Sequence, residues 1–403
     1  RYNDGSEWVA VDKADDTSKD GIVFADMRKD SGSPFDEDVP EAGLYPAGML
    51  AWNMRGSGYN VKVYKTNYWA GVANDSFWVT ESGLQNDGAM WAGQDAVKKV
   101  IVQRMGAALV GTDELRSETV EFTLIATPGF PEMIDEMVAL NVDRKETAFV
   151  VADTPMTLKP KGTDLQAWAT NSNNAAGNGD VGLTSSSAYV GVYYPSGLAT
   201  NTNGAEVVVP ASHIALRTLA YNDTVAYPWF APAGAQRGLI SNVSSLGYLN
   251  DSKEYVSVSL NEGLRDVLYA NKINPMTYMP GIGNVVYGQK TLSPGDSAMD
   301  RINVARLVNY LRDRFDKMSK PFLFEPHDQR TRDGVINMFN NFLADIISKR
   351  GLYDFLVVCD ASNNTPARID RNELWIDVAI QPMKAIEFIY IPVRIKNTGE
   401  PLI

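Results

Sequence analysis

The chain has 403 residues, 44% of them hydrophobic, which is ample for buried cores and points to two or three domains rather than one. Lys and Arg number 37 against 49 Asp and Glu, and the resulting net charge of −12 argues against general binding of nucleic acid or anionic membranes. One cysteine, Cys359, excludes an internal disulfide framework and cysteine metal clusters and fits a reducing compartment.

No apolar run approaches the roughly 20 residues of a membrane span. No secretion signal opens the chain, which starts at Arg1 and is expected to be cut or processed from something longer. Charge is unevenly spread. Residues 1–60 hold twelve acids and six bases, whereas residues 299–320 hold six bases and three acids. Opposed regions of this kind can attract other copies or a partner of opposite sign, or can be ordinary solvated faces.

Residues 1–60 are rich in Asp, Gly, Ser and Pro and read as short strands and long loops with little core. Gly56-Ser57-Gly58 lacks the third glycine of a dinucleotide loop and reads as a turn into a strand at Val61–Tyr64. From residue 76 the texture changes. A strand is expected at Ser76–Thr80 and a helix over Gln94–Leu109, where Val97, Ile101, Met105 and Leu109 recur four apart.

Glu121–Ala126 and Thr147–Ala152 read as buried strands flanking a helix from Pro131 to Leu140. Strands without polar alternation, joined by a helix, predict a parallel sheet covered on both faces. The carboxy ends of such strands often bind ligands, and Thr127, Asp153 and Thr154 are the candidates there. Pro128 and Pro155 remove backbone donors that a phosphate loop would use, so a structural sheet is the favoured reading.

Residues 157–186 read as a surface loop or insertion. A strand follows at Ser187–Tyr194, then helices at Ala211–Tyr221 and Asn261–Ala270. Between these helices, Ala231-Pro232-Ala233-Gly234 predicts a sharp reversal beside a packed Trp229.

The carboxy-terminal unit, 271–403, is read more closely. Over Ile302–Met318, Val304, Leu307, Val308, Leu311, Phe315 and Met318 form one apolar stripe. Arg306, Tyr310, Asp313 and Lys317 fall on the opposite side and Arg312 and Arg314 on the flanks, with guanidinium heads free and stems along apolar surface. Asp313 and Lys317 are spaced for an ion pair.

Pro321 stops this helix. A short strand is expected at Phe322–Glu325, then a helix from Arg332 to Lys349 with Gly351 as its cap. A buried strand at Tyr353–Cys359 makes Cys359 a core residue. Leu374, Ile376, Val378 and Ile380 alternate with polar or small residues, and so do Ile389, Ile391, Val393 and Ile395. Pro392 cannot donate to a ladder, so the last strand is expected to be an edge open to a strand from another chain.

No catalytic constellation stands out. His213 and His327 lack metal-ligand spacing, and no nucleophile elbow occurs. Gly283 to Thr291 imitates a phosphate loop but reads as a strand, and Gln289 interrupts it. Neither a cofactor nor a metal site is assigned, and the chain is not read as an enzyme.

Four stretches, "INPMTYMPGIGNVVYGQKTL", "DRINVARLVNYL", "FEPHD" and "CDASNNTPARIDRNELWIDVAIQP", together resemble the contractile-tail sheath proteins of bacteriophages. The match is good over 187–396, weaker over 121–155 and poor before 75; a large-genome phage is the suggested source. The resemblance implies a virion structural subunit that polymerises around a tail tube and contracts to drive the tube through the host envelope. It implies a multidomain α/β plus α+β fold, with a β-rich peripheral part at 1–75, an α/β core at 76–270 and an inner, tube-facing α+β domain at 271–403.

Other copies, the tail tube, the baseplate and the tail terminator are the implied partners. The implied locations are the virion tail and, during assembly, the host cytoplasm. Arg306, Arg312, Arg314 and Lys317 become candidates to face an acidic tube or a neighbour. Ile389, Ile391, Val393 and Ile395 become the candidate edge for a neighbour's arm. Neither terminal arm is identified, so the chain is expected to be a monomeric core fragment. The alternatives are the sheath of a tailocin or secretion apparatus, or a carbohydrate-binding or hydrolytic surface protein using Tyr189, Tyr193 and Tyr194.

Overall fold

A computed structural model describes residues 2–3, 8–9 and 94–387, apart from 173–178, 251–253 and 296. Most of the proposed peripheral unit, the expected strands at 61–64 and 76–80, and the edge strand of Ile389, Ile391, Val393 and Ile395 therefore lie outside the described residues.

Two short strands, β1 (Tyr2–Asn3) and β2 (Trp8–Val9), pair antiparallel at the start. Helix α1 (Gln94–Gly111) follows, then β3 (Leu124–Ile125), α2 (Ile134–Asp143) and β4 (Phe149–Asp153). Pro131 opens a 3-10 turn rather than the α-helix itself, which starts three residues later. Helix α3 (Gly162–Ala169) corrects the reading of 157–186 as a loop. Leu165 and Trp168, three residues apart on one face, enter the core, so this short helix is held by burial that its polar surroundings concealed.

The chain continues through β5 (Val190–Tyr194), β6 (Ser196–Thr200), β7 (Glu206–Val209), α4 (Ala211–Val225) and the short α5 (Gly234–Arg237). Next come β8 (Ser245–Leu249), β9 (Tyr255–Ser257), α6 (Glu262–Ala270), β10 (Ile273–Met279) and β11 (Gly283–Val286). Asn261 caps α6 by accepting from the Leu264 amide at 2.9 Å. Two long helices, α7 (Ile302–Ser319) and α8 (Gln329–Ser348), precede β12 (Leu352–Val358), α9 (Pro366–Ile369) and β13 (Asp377–Pro382).

The central sheet has five strands in the order β11-β10-β5-β4-β3. Strands β3, β4, β5 and β10 run parallel and β11 returns antiparallel. Both faces are covered, as unalternating apolar strands require. Val150, Ala152, Val190 and Val192 pack under α2, α3 and α6 through Met137, Leu165, Trp168 and Leu268. Phe149, Val151 and Tyr193 face α4 and the start of α7 through Ile214, Leu219, Ile302 and Ala305. An antiparallel sheet, β7-β6-β8-β9, adjoins this core.

β10 pairs with β5 through Ile273, Asn274 and Pro275, so the start of the 271–403 unit shares a sheet with the preceding one. β11 also belongs to this sheet and the start of α7 packs on it, and beyond them β12 and β13 form a two-stranded antiparallel sheet against α7 and α8. Trp229, Leu307, Leu311, Leu343, Ile346 and Leu352 fill the space between them.

Two local expectations fail. Phe322–Glu325 is no strand: a 3-10 turn ends at Phe322, and Phe324 stands fully exposed at φ 69°. The three apolar residues Phe322, Leu323 and Phe324 meet no strand partner there. At the end of α8 it is Arg350 (φ 62°), not Gly351, that takes the left-handed position. Gly351 is needed for space, because a Cβ there would lie 2.5 Å from Ile346 and 3.2 Å from the Trp229 ring.

Candidate assembly surfaces

The carboxylate at the end of β4 is engaged internally. Asp153 Oδ2 accepts from the Gly129 amide at 2.7 Å and the Ser212 hydroxyl at 2.8 Å, and Oδ1 accepts from the Ser212 amide at 2.5 Å. Asp153 thus ties the β3–α2 turn to the first turn of α4, where a negative charge meets the helix dipole favourably. Burial pushes its carboxyl up, against the pull of those hydrogen bonds. The sheet end is a structural joint.

The basic residues of α7 occupy three different environments. Its first half is enclosed on every side, because the central sheet with α4 lies on one side and the β12–β13 layer on the other. Residues Ile302 to Leu307 are all buried, as are Asn309 and Leu311. Arg306 is therefore no surface cation. Its side chain is 3% exposed and donates to Asp223 Oδ2 at 2.6 Å. The expectation of a solvated opposite face is corrected there, since a helix between two layers buries its polar positions as well. Asn309 serves the same setting, donating to the Glu146 carbonyl at 2.9 Å.

Further along, polar partners take over from burial. Arg312 pairs with Glu146 and lies over the Tyr189 ring at 5.1 Å. Lys317 meets Glu121 at 2.9 Å and Asp313 at 3.0 Å, so the spaced pair read from the sequence forms. Lys320 reaches Glu118 at 2.8 Å, and Lys145 reaches Asp316 at 3.2 Å. These ion pairs rim a cleft of about 910 Å³ between the end of α7, the start of β13 and residues 116–147. Arg314 is exposed and stacks its guanidinium over the Tyr310 ring at 5.2 Å. The acidic partners at 118, 121 and 146 carried no signal in the sequence, because each lies more than 150 residues from its cation.

The β12–β13 sheet is the other candidate surface. Phe355 and Val357, with their partners Ile380 and Val378, face the helices. Leu356, 61% exposed, pairs with Ala379 on the outer face, and Tyr353 is 62% exposed. Among the described residues each strand of this sheet has one partner only, so each keeps an edge whose backbone groups are free to pair. Tyr189, Tyr193 and Tyr194 are all buried and form no aromatic-lined cleft.

Residues 295–396, which hold α7, α8 and this sheet, match the family model of the phage tail sheath C-terminal domain. The chain is also 32% identical over 332 residues to the tail sheath protein of Vibrio phage KVP40, across 77% of this chain and 46% of that protein. The chain is similar to phage tail sheath proteins, and the family-model match is confined to residues 295–396. Against the tail sheath protein of Enterobacteria phage T4 it is 38% identical over 180 residues, 45% of this chain and 26% of that protein. The chain thus aligns with less than half the length of either phage relative.

Its fold is like that of the anti-feeding prophage helical sheath in the contracted state, with TM-score 0.54 and 22% identity over 72% of this chain and 73% of that one.

Proposed function

We propose that the protein carrying this chain polymerises around a tail tube, and that shortening of the polymer drives the tube through a host envelope during genome delivery. The observation that carries this reading is the 332-residue relationship to a phage tail sheath protein. The edges of the β12–β13 sheet support it, with the Ile389–Ile395 strand as the proposed outermost edge for a neighbour's arm. Backbone pairing at such an edge holds subunits together while leaving them free to rotate as rigid bodies. Contraction then needs neither cofactor nor catalytic residue, because an extended lattice held behind a barrier releases its free energy by burying more surface between subunits.

Other copies, the tail tube, the baseplate and the tail terminator are the partners of this reading. Its places are the virion tail and, before that, the host cytoplasm. Arg314 is the proposed contact to an acidic tube or neighbour. Arg312 and Lys317 join it only by sharing or exchanging their partners Glu146 and Glu121. The likeness to an anti-feeding prophage sheath favours a second reading, in which the device is a bacterial contractile apparatus rather than a phage tail.

Negative-stain electron microscopy of the full-length parent protein, beside this chain, tests the proposal. Tubes from the parent, alone or on added tube protein, are expected. Dispersed particles under both conditions would overturn it.

A further inference from the structure

Beyond β13 the chain lies as a short strap across the start of α7. The Met383 amide donates to the Gly351 carbonyl at 3.1 Å, and Asn303 Nδ2 donates to the Met383 carbonyl at 3.4 Å. Four residues later the strap ends in a built pocket. Arg301 Nε donates to Glu387 Oε1 at 2.6 Å and Arg301 Nη2 donates to Oε2 at 3.0 Å, a two-point clasp. Gln289 Nε2 donates to Oε1 at 3.0 Å, and the Tyr269 hydroxyl lies close enough to favour the charged carboxylate.

Lys290 completes the wall, with Nζ 4.4 Å from the centre of the Tyr269 ring. The Glu387 side chain is only 16% exposed, whereas its neighbour Ile386 is 84% exposed. Four different places supply this pocket: the end of α6, the turn after β11, the residue before α7, and the strap. Ion pairs on open surface seldom gather so many donors on one carboxylate. The site is also next to the amino-terminal end of α7, where a carboxylate is favoured.

We propose that Arg301, Gln289 and Tyr269 form a carboxylate receptor for Glu387, and that this latch fixes the end of the strap to the start of α7 and the segments around it. Its use in assembly rests on the reading above, that the strand after the latch engages a neighbouring copy. A pull on that strand is then delivered to α7 and the central sheet, and not to β13, whose pairing with β12 would otherwise peel from its end. The latch is a positioning device: it touches no partner itself.

Hydrogen–deuterium exchange on the full chain tests it, followed by mass spectrometry of peptides from 383–387 and from α7. Glu387→Gln keeps the shape and removes the charge. Exchange in the strap is expected to rise by about tenfold or more, the loss of one charge-assisted pair, while α7 keeps its protection. The swap of Arg301→Glu with Glu387→Arg should restore part of the protection. Unchanged strap exchange in Glu387→Gln overturns the latch, and so does loss of protection throughout the chain, which would make the pair a general folding element. Failure of the parent to form tubes, with the strap still loosened by Glu387→Gln, would remove the sheath role and leave the latch standing.

Discussion

Arg306 shows how one side chain's meaning depends on its surroundings. Removal of Asp223 would leave a buried guanidinium without its counter-charge, whereas removal of Arg306 leaves a carboxylate that is 29% exposed and can hydrate. Asp223→Ala should therefore cost about 3 kcal/mol, and Arg306→Met clearly less, as read from denaturant midpoints. Gly351→Ala drives a methyl group into Ile346 and Trp229 and should cost about 1–3 kcal/mol by the same measurement.

Glu387 gives a pH signature at the same scale. Burial works against its charge, but hydrogen bonds from Arg301 and Gln289, with the nearby Tyr269 hydroxyl, outweigh it and hold the carboxyl below the ordinary value of 4.5. Its contribution is then fully present above that value and is lost as pH falls through the lower folded one. Strap exchange at matched intrinsic rates should rise as pH falls below the ordinary value of 4.5 in the natural chain, and Glu387→Gln should abolish that rise.

Among the elements, α7 carries the most consequence. Its apolar positions and its extent follow from 3.6-residue periodicity, and the helix found at Ile302–Ser319 agrees with the reading to within a residue. Which of its polar residues reach solvent does not follow, because that depends on the layer lying over each turn. The first turns sit between two layers and the last turns beside a cleft rimmed with charge. Charge reversal therefore has different outcomes along one helix. Arg314→Glu should leave thermal stability within about 0.5 kcal/mol of the natural chain and weaken co-sedimentation with the tube. Arg306→Glu should prevent folding outright. Equal effects of the two on stability would contradict the placement of α7.

At the scale of the whole molecule, the proposed lattice requires that association stabilise the fold. Melting of the parent protein should shift upward with concentration if neighbouring edges pair, and stay constant if they do not. The two layers also explain how such a unit can move as a body: the central sheet is buried on both faces, and the β12–β13 layer is fastened to it through α7.

Local patterns were legible in the chain: a parallel sheet from apolar strands joined by helices, two amphipathic helices, and the alternating strand found at Asp377–Pro382. These rest on neighbours a few residues apart, so the sequence records them directly. The motifs shared with sheath proteins carried the resemblance in the same direct way. Other features depended on partners far along the chain. β10 joins the sheet of β5 rather than opening a separate domain, Trp168 recruits a helix from an apparent loop, Arg306 is enclosed, and Glu387 meets Arg301 across 86 residues. Burial and pairing between distant segments are set by how layers stack, and only the folded chain brings those layers together.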